Sequence, residues 1–216
     1  MSHWNIAAAQ YGGQHHSVDD HIAHHLHFIA EAAHHQCDLL VFPELSLTGP
    51  GATALPLPPE DDRLQPLLDA AHFYRITLIA GLPVERNGQR QKGLALFIPS
   101  RDRILRYPQG SGASLVPGDK QLTIIDGQSD SPNLDPQATL FTSCQSVRDY
   151  RWRQSINTLQ RFAHRYAIAV LMANAGAGSA LWDEKGQLIV RADKGELLLT
   201  GTRNGQGWQG DIIPLG

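Results

Sequence analysis

Three groups of residues in the chain have types and spacings that could do chemistry. Glu44 follows the apolar run at 38–42 and Pro43, so its carboxylate is expected at the end of a buried strand. A sheet presents groups to a pocket at that point, and a positioned carboxylate there can move a proton. Cys144, in Thr142-Ser143-Cys144-Gln145-Ser146, closes one strand just before an expected helix start, with Arg148 nearby. A helix N-terminus and a cation favour the thiolate, which is the nucleophilic form of the group. The third group is histidine: eight of the eleven lie between His15 and His35, and His21 and His25 are spaced i,i+4. Two histidines one turn apart could hold a metal. No cysteine or carboxylate set completes a ligand shell, so no metal site is expected, and the histidines are read as a polar helix face.

The elements that must position these residues alternate between strand and helix. Residues 6–9 read as a first strand. Ser17 then caps a helix, with Asp20 three residues on, and Ile22, Leu26, Ile29 and Ala33 recur at helical spacing. Residues 38–42 form a short buried strand. Prolines 56, 58 and 59 mark a loop, and a helix over 61–74 carries Leu64, Leu67, Leu68 and Ala71 on one side. Strands at 76–82 and 94–98 flank the hairpin signal Asn87-Gly88. Further strands are expected at 104–107, 122–125 and 138–143. Ser146 and Asp149 suggest a second capping box, opening a helix to about Tyr166. The apolar run at 167–173 is a buried strand, and short strands at 180–182, 188–190, 197–199 and 211–213 close the chain. Such alternation defines an α/β layered domain, here a single one over 1–216.

The segment Asp38-Leu39-Leu40-Val41-Phe42-Pro43-Glu44-Leu45-Ser46-Leu47-Thr48-Gly49 resembles the first catalytic segment of the carbon–nitrogen hydrolase (nitrilase) superfamily. The flanks agree. Ile6-Ala7-Ala8-Ala9-Gln10 is similar to the family's opening strand, and Gly81-Leu82-Pro83 to its next stretch. Val116-Pro117-Gly118-Asp119 is similar to its Phe-x-Pro-Gly turn, and Ala173-Asn174, Gly178-Ser179 and Asp183-Glu184-Lys185-Gly186 to its closing hairpins. The resemblance implies an α-β-β-α sandwich of two mixed sheets flanked by helices, paired into a homodimer. It implies hydrolysis of a small amide or nitrile, with no metal or organic cofactor.

The family's site is a Glu–Lys–Cys set: a general base and acid, a cation that stabilises the oxyanion, and a nucleophile. On the resemblance, Glu44 takes the base position. Gln109 stands where Lys is expected, in Tyr107-Pro108-Gln109, and the nearest lysines, Lys92 and Lys120, fall outside that segment. An amide donates hydrogen bonds but supplies no full charge.

For the nucleophile two registers stay open. In the preferred one its strand and helix are deleted or collapsed, because 126–137 holds Gly127, Pro132, Pro136 and one large apolar residue, Leu134, and reads as loop. Residues 162–170 then run directly into Ala173-Asn174, as the family's last helix and strand do. In the other register Cys144 is the nucleophile and a different helix is lost. The expectation is therefore a hydrolase-like protein that is catalytically degenerate. The alternatives are an active thiol amidase using Cys144 with Glu44, and a relic that binds a ligand or partner without catalysis.

Composition narrows the rest. The net charge is −3 without a polybasic run, which argues against nucleic acid or an anionic membrane surface as partner. No apolar stretch approaches the roughly 18 residues of a membrane span. The first residues lack a secretory pattern, and two cysteines make no disulfide framework, so a cytoplasmic setting is expected. Tyr150-Arg151-Trp152-Arg153 is read as part of an amphipathic helix face.

Overall fold

A computed structural model describes residues 4–12, 17–49, 57, 61–109, 114–115, 124–126, 138–176 and 178–215. The first half is β1 (Trp4–Gln10), α1 (Val18–His34), β2 (Leu39–Val41), a 3-10 turn (Asp62–Leu64), α2 (Gln65–Tyr74), β3 (Thr77–Arg86), β4 (Gln89–Phe97) and β5 (Leu105–Pro108). The second is β6 (Ser114–Leu115), β7 (Ile124–Asp126), β8 (Leu140–Gln145), α3 (Asp149–Tyr166), β9 (Ala169–Asn174), β10 (Ala180–Trp182), β11 (Leu188–Arg191), β12 (Leu197–Asn204) and β13 (Gly207–Pro214).

The strands form two mixed sheets, in orders β13-β12-β1-β2-β3-β4-β5 and β11-β10-β9-β8-β7-β6. Three apolar clusters show four layers. Phe28, Ile29 and Leu67 from α1 and α2 pack on Ala7, Leu40 and Leu78 of the first sheet. Ile6, Val41 and Leu94 meet Leu140, Leu171 and Leu181 between the sheets. Leu159 and Phe162 of α3 cover Phe141, Val170 and Met172. This is the expected α-β-β-α sandwich. Strands β1 and β2 are buried on both faces, which is why they read as continuous apolar runs rather than alternating ones.

Strand pairing follows the connections. β1, β2 and β3 pair in parallel across α1 and α2, and β8 and β9 pair in parallel across α3. The carboxyl ends of these parallel strands converge: the Glu44 N–H donates to the Gln145 carbonyl at 3.3 Å, and the Gly176 N–H to the Tyr11 carbonyl at 2.9 Å. Open parallel sheets place ligand sites at such ends.

Local details match the expectations at one helix start and depart from them in two places. The first helix is capped by Ser17, whose Oγ accepts the Asp20 N–H at 3.1 Å, as the capping pattern implies. The third helix is not capped by Ser146: its N-cap is Arg148, with no side-chain cap bond, and Ser146 lies upstream of it. Strand β12 and strand β13 are each eight residues, longer than the apolar cores at 197–199 and 211–213, because a turn at 204–207 lets their polar ends keep pairing. Among the described residues no helix is long and apolar enough to cross a membrane.

Candidate active site

Glu44 sits in a tight loop after β2 whose shape is set from three sides. The Phe42 N–H donates to the Ile79 carbonyl at 2.8 Å, and the Leu47 N–H to the Gly81 carbonyl at 2.9 Å. Leu45, next to Glu44, has φ 53°, in the left-handed region that non-glycine residues rarely adopt. Gly81 permits the loop to lie on β3: a Cβ there would come 2.2 Å from the Leu45 nitrogen and 2.7 Å from the Pro43 carbonyl oxygen. The Gly81 N–H donates to Ser46 Oγ at 3.2 Å, closing the loop onto the strand.

Behind the loop stands His25. Its ring is fully buried and stacks on Phe42, with centroids 4.0 Å apart at 26°. His25 Nδ1 lies 2.6 Å from the His21 carbonyl and Nε2 lies 3.1 Å from Ser46 Oγ. A carbonyl only accepts, so Nδ1 carries the proton. Ser46 Oγ already accepts from Gly81, so its own hydrogen points to Nε2. His21 and His25 are therefore interior residues, not the solvated face expected from the sequence. His24 is partly covered and pairs with Glu196 at 2.5 Å. Among the described residues no group of three or more candidate ligands could hold a metal.

In front of Glu44 lies Lys92. Its Nζ is 2.8 Å from Glu44 Oε1. The expectation that no lysine reaches the site is thus corrected: the ammonium comes from β4, one strand away from the anticipated position. Gln109, which follows β5, is the cross-strand neighbour of Lys92, its N–H donating to the Lys92 carbonyl at 2.9 Å. The Gln109 amide does not face Glu44 with a charge. Its Nε2 donates to the Cys144 carbonyl at 2.8 Å, while its Oε1 is buried with no hydrogen-bond partner among the described residues.

These residues line one cavity of about 520 Å³ with Gln145, Ser146 and the first turns of α3. Its walls are polar, and the size is that of a small-molecule site. Neither cysteine lines it. Cys144 belongs to the apolar cluster between the sheets and is 1% exposed. It lies within β8, five residues before α3 begins, so its thiol does not sit at the helix start that the sequence suggested. Cys37 is buried in the other cluster, under α1. Burial, aided by the Asp38 carboxylate, pushes the Cys37 thiol up to about 12.

The flanking residues that carried the resemblance are clamps. Asn174 is fully buried; its Oδ1 accepts the Val147 N–H at 2.9 Å and its Nδ2 donates to the Val147 carbonyl at 3.2 Å. Gln10 Oε1 accepts the Ser179 N–H at 2.8 Å. The turn at 116–119 lies outside the described residues. The stretch in which the preferred register places a lost strand and helix lies, beyond Asp126, outside the described residues; β7 is the strand expected at 122–125, and it pairs in parallel with β8, ending at Asp126 opposite Thr142.

The comparisons agree with this geometry. Residues 5–108 match the Carbon-nitrogen hydrolase family. A CN-hydrolase superfamily protein from Xanthomonas campestris superposes with TM-score 0.82 at 15% identity, over 95% of this chain and 92% of that one. An amidase from Nesterenkonia sp. AN1 gives TM-score 0.73 at 18% identity, over 91% of both chains. A glutamine-dependent NAD+ synthetase from Acinetobacter baumannii gives TM-score 0.78 at 16% identity; it is matched over 100% of this chain, which spans only 49% of the synthetase. At these identities the likeness defines the fold. The matched family segment, residues 5–108, holds both Glu44 and Lys92.

Proposed function

We propose that the cavity beside Glu44 binds a small amide and that the chain does so without a covalent thiol step. The observation that carries the reading is the Glu44–Lys92 pair in a cavity that neither cysteine lines. An amide offers a carbonyl oxygen, which an ammonium group would receive, and N–H donors, which a carboxylate and the unpartnered Gln109 Oε1 would receive. The cation supports recognition, and a loop preorganised around Glu44 supports a retained ligand site. The resemblance places a nucleophile at the end of a strand that precedes a parallel neighbour. The reading keeps the register in which the nucleophile's own strand and following helix are lost from the chain.

A second reading keeps Cys144 as the nucleophile of an active amidase. It is favoured by backbone proximity alone: Gln145, the next residue, accepts the Glu44 N–H, and Gln109 binds the Cys144 carbonyl.

The test measures ammonia release and calorimetric binding over a panel of short amides and nitriles, for the wild type, Glu44→Gln, Lys92→Met and Cys144→Ala. The expected result is saturable binding that Glu44→Gln and Lys92→Met weaken and Cys144→Ala leaves intact, with no ammonia above the protein-free rate. Ammonia release abolished by Cys144→Ala would instead establish the thiol amidase. The homodimer implied by the family belongs to the same proposal, and light scattering on the purified chain tests it.

A further inference from the structure

We propose that the α3 end of this cavity is a carboxylate-binding subsite, so that the ligand is an anionic amide: one small molecule carrying both a carboxamide and a carboxylate. The inference rests on the reading of the cavity as an amide site and adds the class of ligand it selects.

Charge leads to it. The described residues lining the cavity include three cations, Lys92, Arg148 and Arg151, against one carboxylate, Glu44. Lys92 already faces Glu44, so the two arginines are left over. Neither has an ion pair among the described residues. The Arg151 guanidinium lies 5.4 Å from the centroid of the exposed Tyr150 ring, a contact that leaves its donors open. A carboxylate in the cavity would accept paired N–H bonds from a planar guanidinium fork.

Position adds to charge. Arg148 is the N-cap of α3, with no side-chain cap bond of its own, and Arg151 lies in the first turn. The helix start therefore contributes open N–H groups and a partial positive charge on the same side. The backbone that carries Arg148 is held: Val147 is clamped on both its N–H and carbonyl by the buried Asn174. On the other side, Trp152 Nε1 donates to the Gly178 carbonyl at 3.0 Å. A Cβ on Gly178 would overlap that indole, so the fit requires glycine there. The arginines thus stand on a fixed platform at one end of the cavity and the Glu44–Lys92 pair forms part of its remaining wall.

The experiment is titration calorimetry on the full chain with three probes of one carbon skeleton: succinamate, succinamide and succinate. Succinamate is expected to bind about tenfold or more tightly than the neutral diamide, a preference that shrinks as sodium chloride is added. Arg148→Gln and Arg151→Gln should each reduce that preference and the double variant should erase it, with the melting temperature unchanged. Equal affinity for succinamide and succinamate, persistence of the preference in the double variant, or no saturable binding of succinamate overturns the proposal. Succinate binding as tightly as succinamate, and losing affinity in the arginine variants, keeps the carboxylate subsite and removes the amide reading instead.

Discussion

Lys92 Nζ lies 2.8 Å from Glu44 Oε1; Glu44 sits in the loop after β2 and Lys92 on β4, 48 positions further along the chain. Gln109 occupies the position where the family resemblance places the cation, and Lys92 is its hydrogen-bonded neighbour across the β4–β5 ladder. A positive charge therefore stands beside the carboxylate, carried by the strand next to the one that leads into Gln109. The Lys92 side chain is 57% exposed and that of Glu44 16%, so solvent screens the pair. Lys92→Met should change unfolding free energy by less than about 1 kcal/mol, measured by urea denaturation. A larger loss would mean that the pair holds the loop as well as the ligand.

The buried His25 should behave in the opposite way. Its ring fills space against Phe42 and links the His21 carbonyl to Ser46. His25→Ala removes packing and leaves the buried Ser46 hydroxyl without the acceptor of its hydrogen. A loss of about 3 kcal/mol is expected by chemical denaturation. Ser46→Ala, which removes only the link to His25 and the Gly81 N–H, should cost about 1 kcal/mol.

Gly81→Ala tests the fit of the Glu44 loop directly. The added methyl would press on backbone atoms of Pro43 and Leu45 at distances no real contact shows, so the loop itself must move. A destabilisation of at least about 2 kcal/mol is expected, together with weakened ligand binding in the same calorimetric titration. Unchanged binding would show that Glu44 does not depend on this seating.

Much of the sandwich was legible because its signals are local. The run into Phe42-Pro43-Glu44, the Ser17 cap and the Asn87-Gly88 turn each declare an element within a few residues. Lys92 was not legible, because its relation to Glu44 arises from registers across β3, β4 and β5, which no linear spacing displays. The burial of His21 and His25 had a readable sign: together with Phe28 and Ala32 they fall at i, i+4, i+7 and i+11, the apolar stripe of α1. The abundance of neighbouring histidines masked it. Ser146 failed as a cap because the segment before α3 is held instead by Asn174, a contact from a distant strand.

Alkaline pH should expose two buried acids. Burial, aided by the Asp38 carboxylate, pushes the Cys37 thiol up to about 12 from an ordinary 9.0. Burial also raises the Tyr11 hydroxyl well above its usual range; the Ser46 bond opposes this and the Glu196 charge adds to it. The folded state binds both protons more tightly than the unfolded chain does. Their contribution is fully present below the ordinary values and is lost as pH rises above them. The melting temperature should fall between pH 9 and about 12, and Cys37→Ala combined with Tyr11→Phe should flatten that limb in a series of thermal melts. A limb of unchanged slope in the double variant would assign the fall to other groups.

The hairpin between β3 and β4 turns at Asn87 and Gly88, with φ 54° and 72°, a two-residue link that locks Pro83 opposite Lys92. Side chains on a strand alternate between faces, so sliding this pairing by a single step would carry the ammonium to the helix-covered side and leave Glu44 facing an amide or a glycine. An Asn-Gly pair that lines no part of the cavity thereby decides whether a cation stands against Glu44. Loop engineering at that tip is a way to rewire the chemistry without altering any residue that meets the ligand.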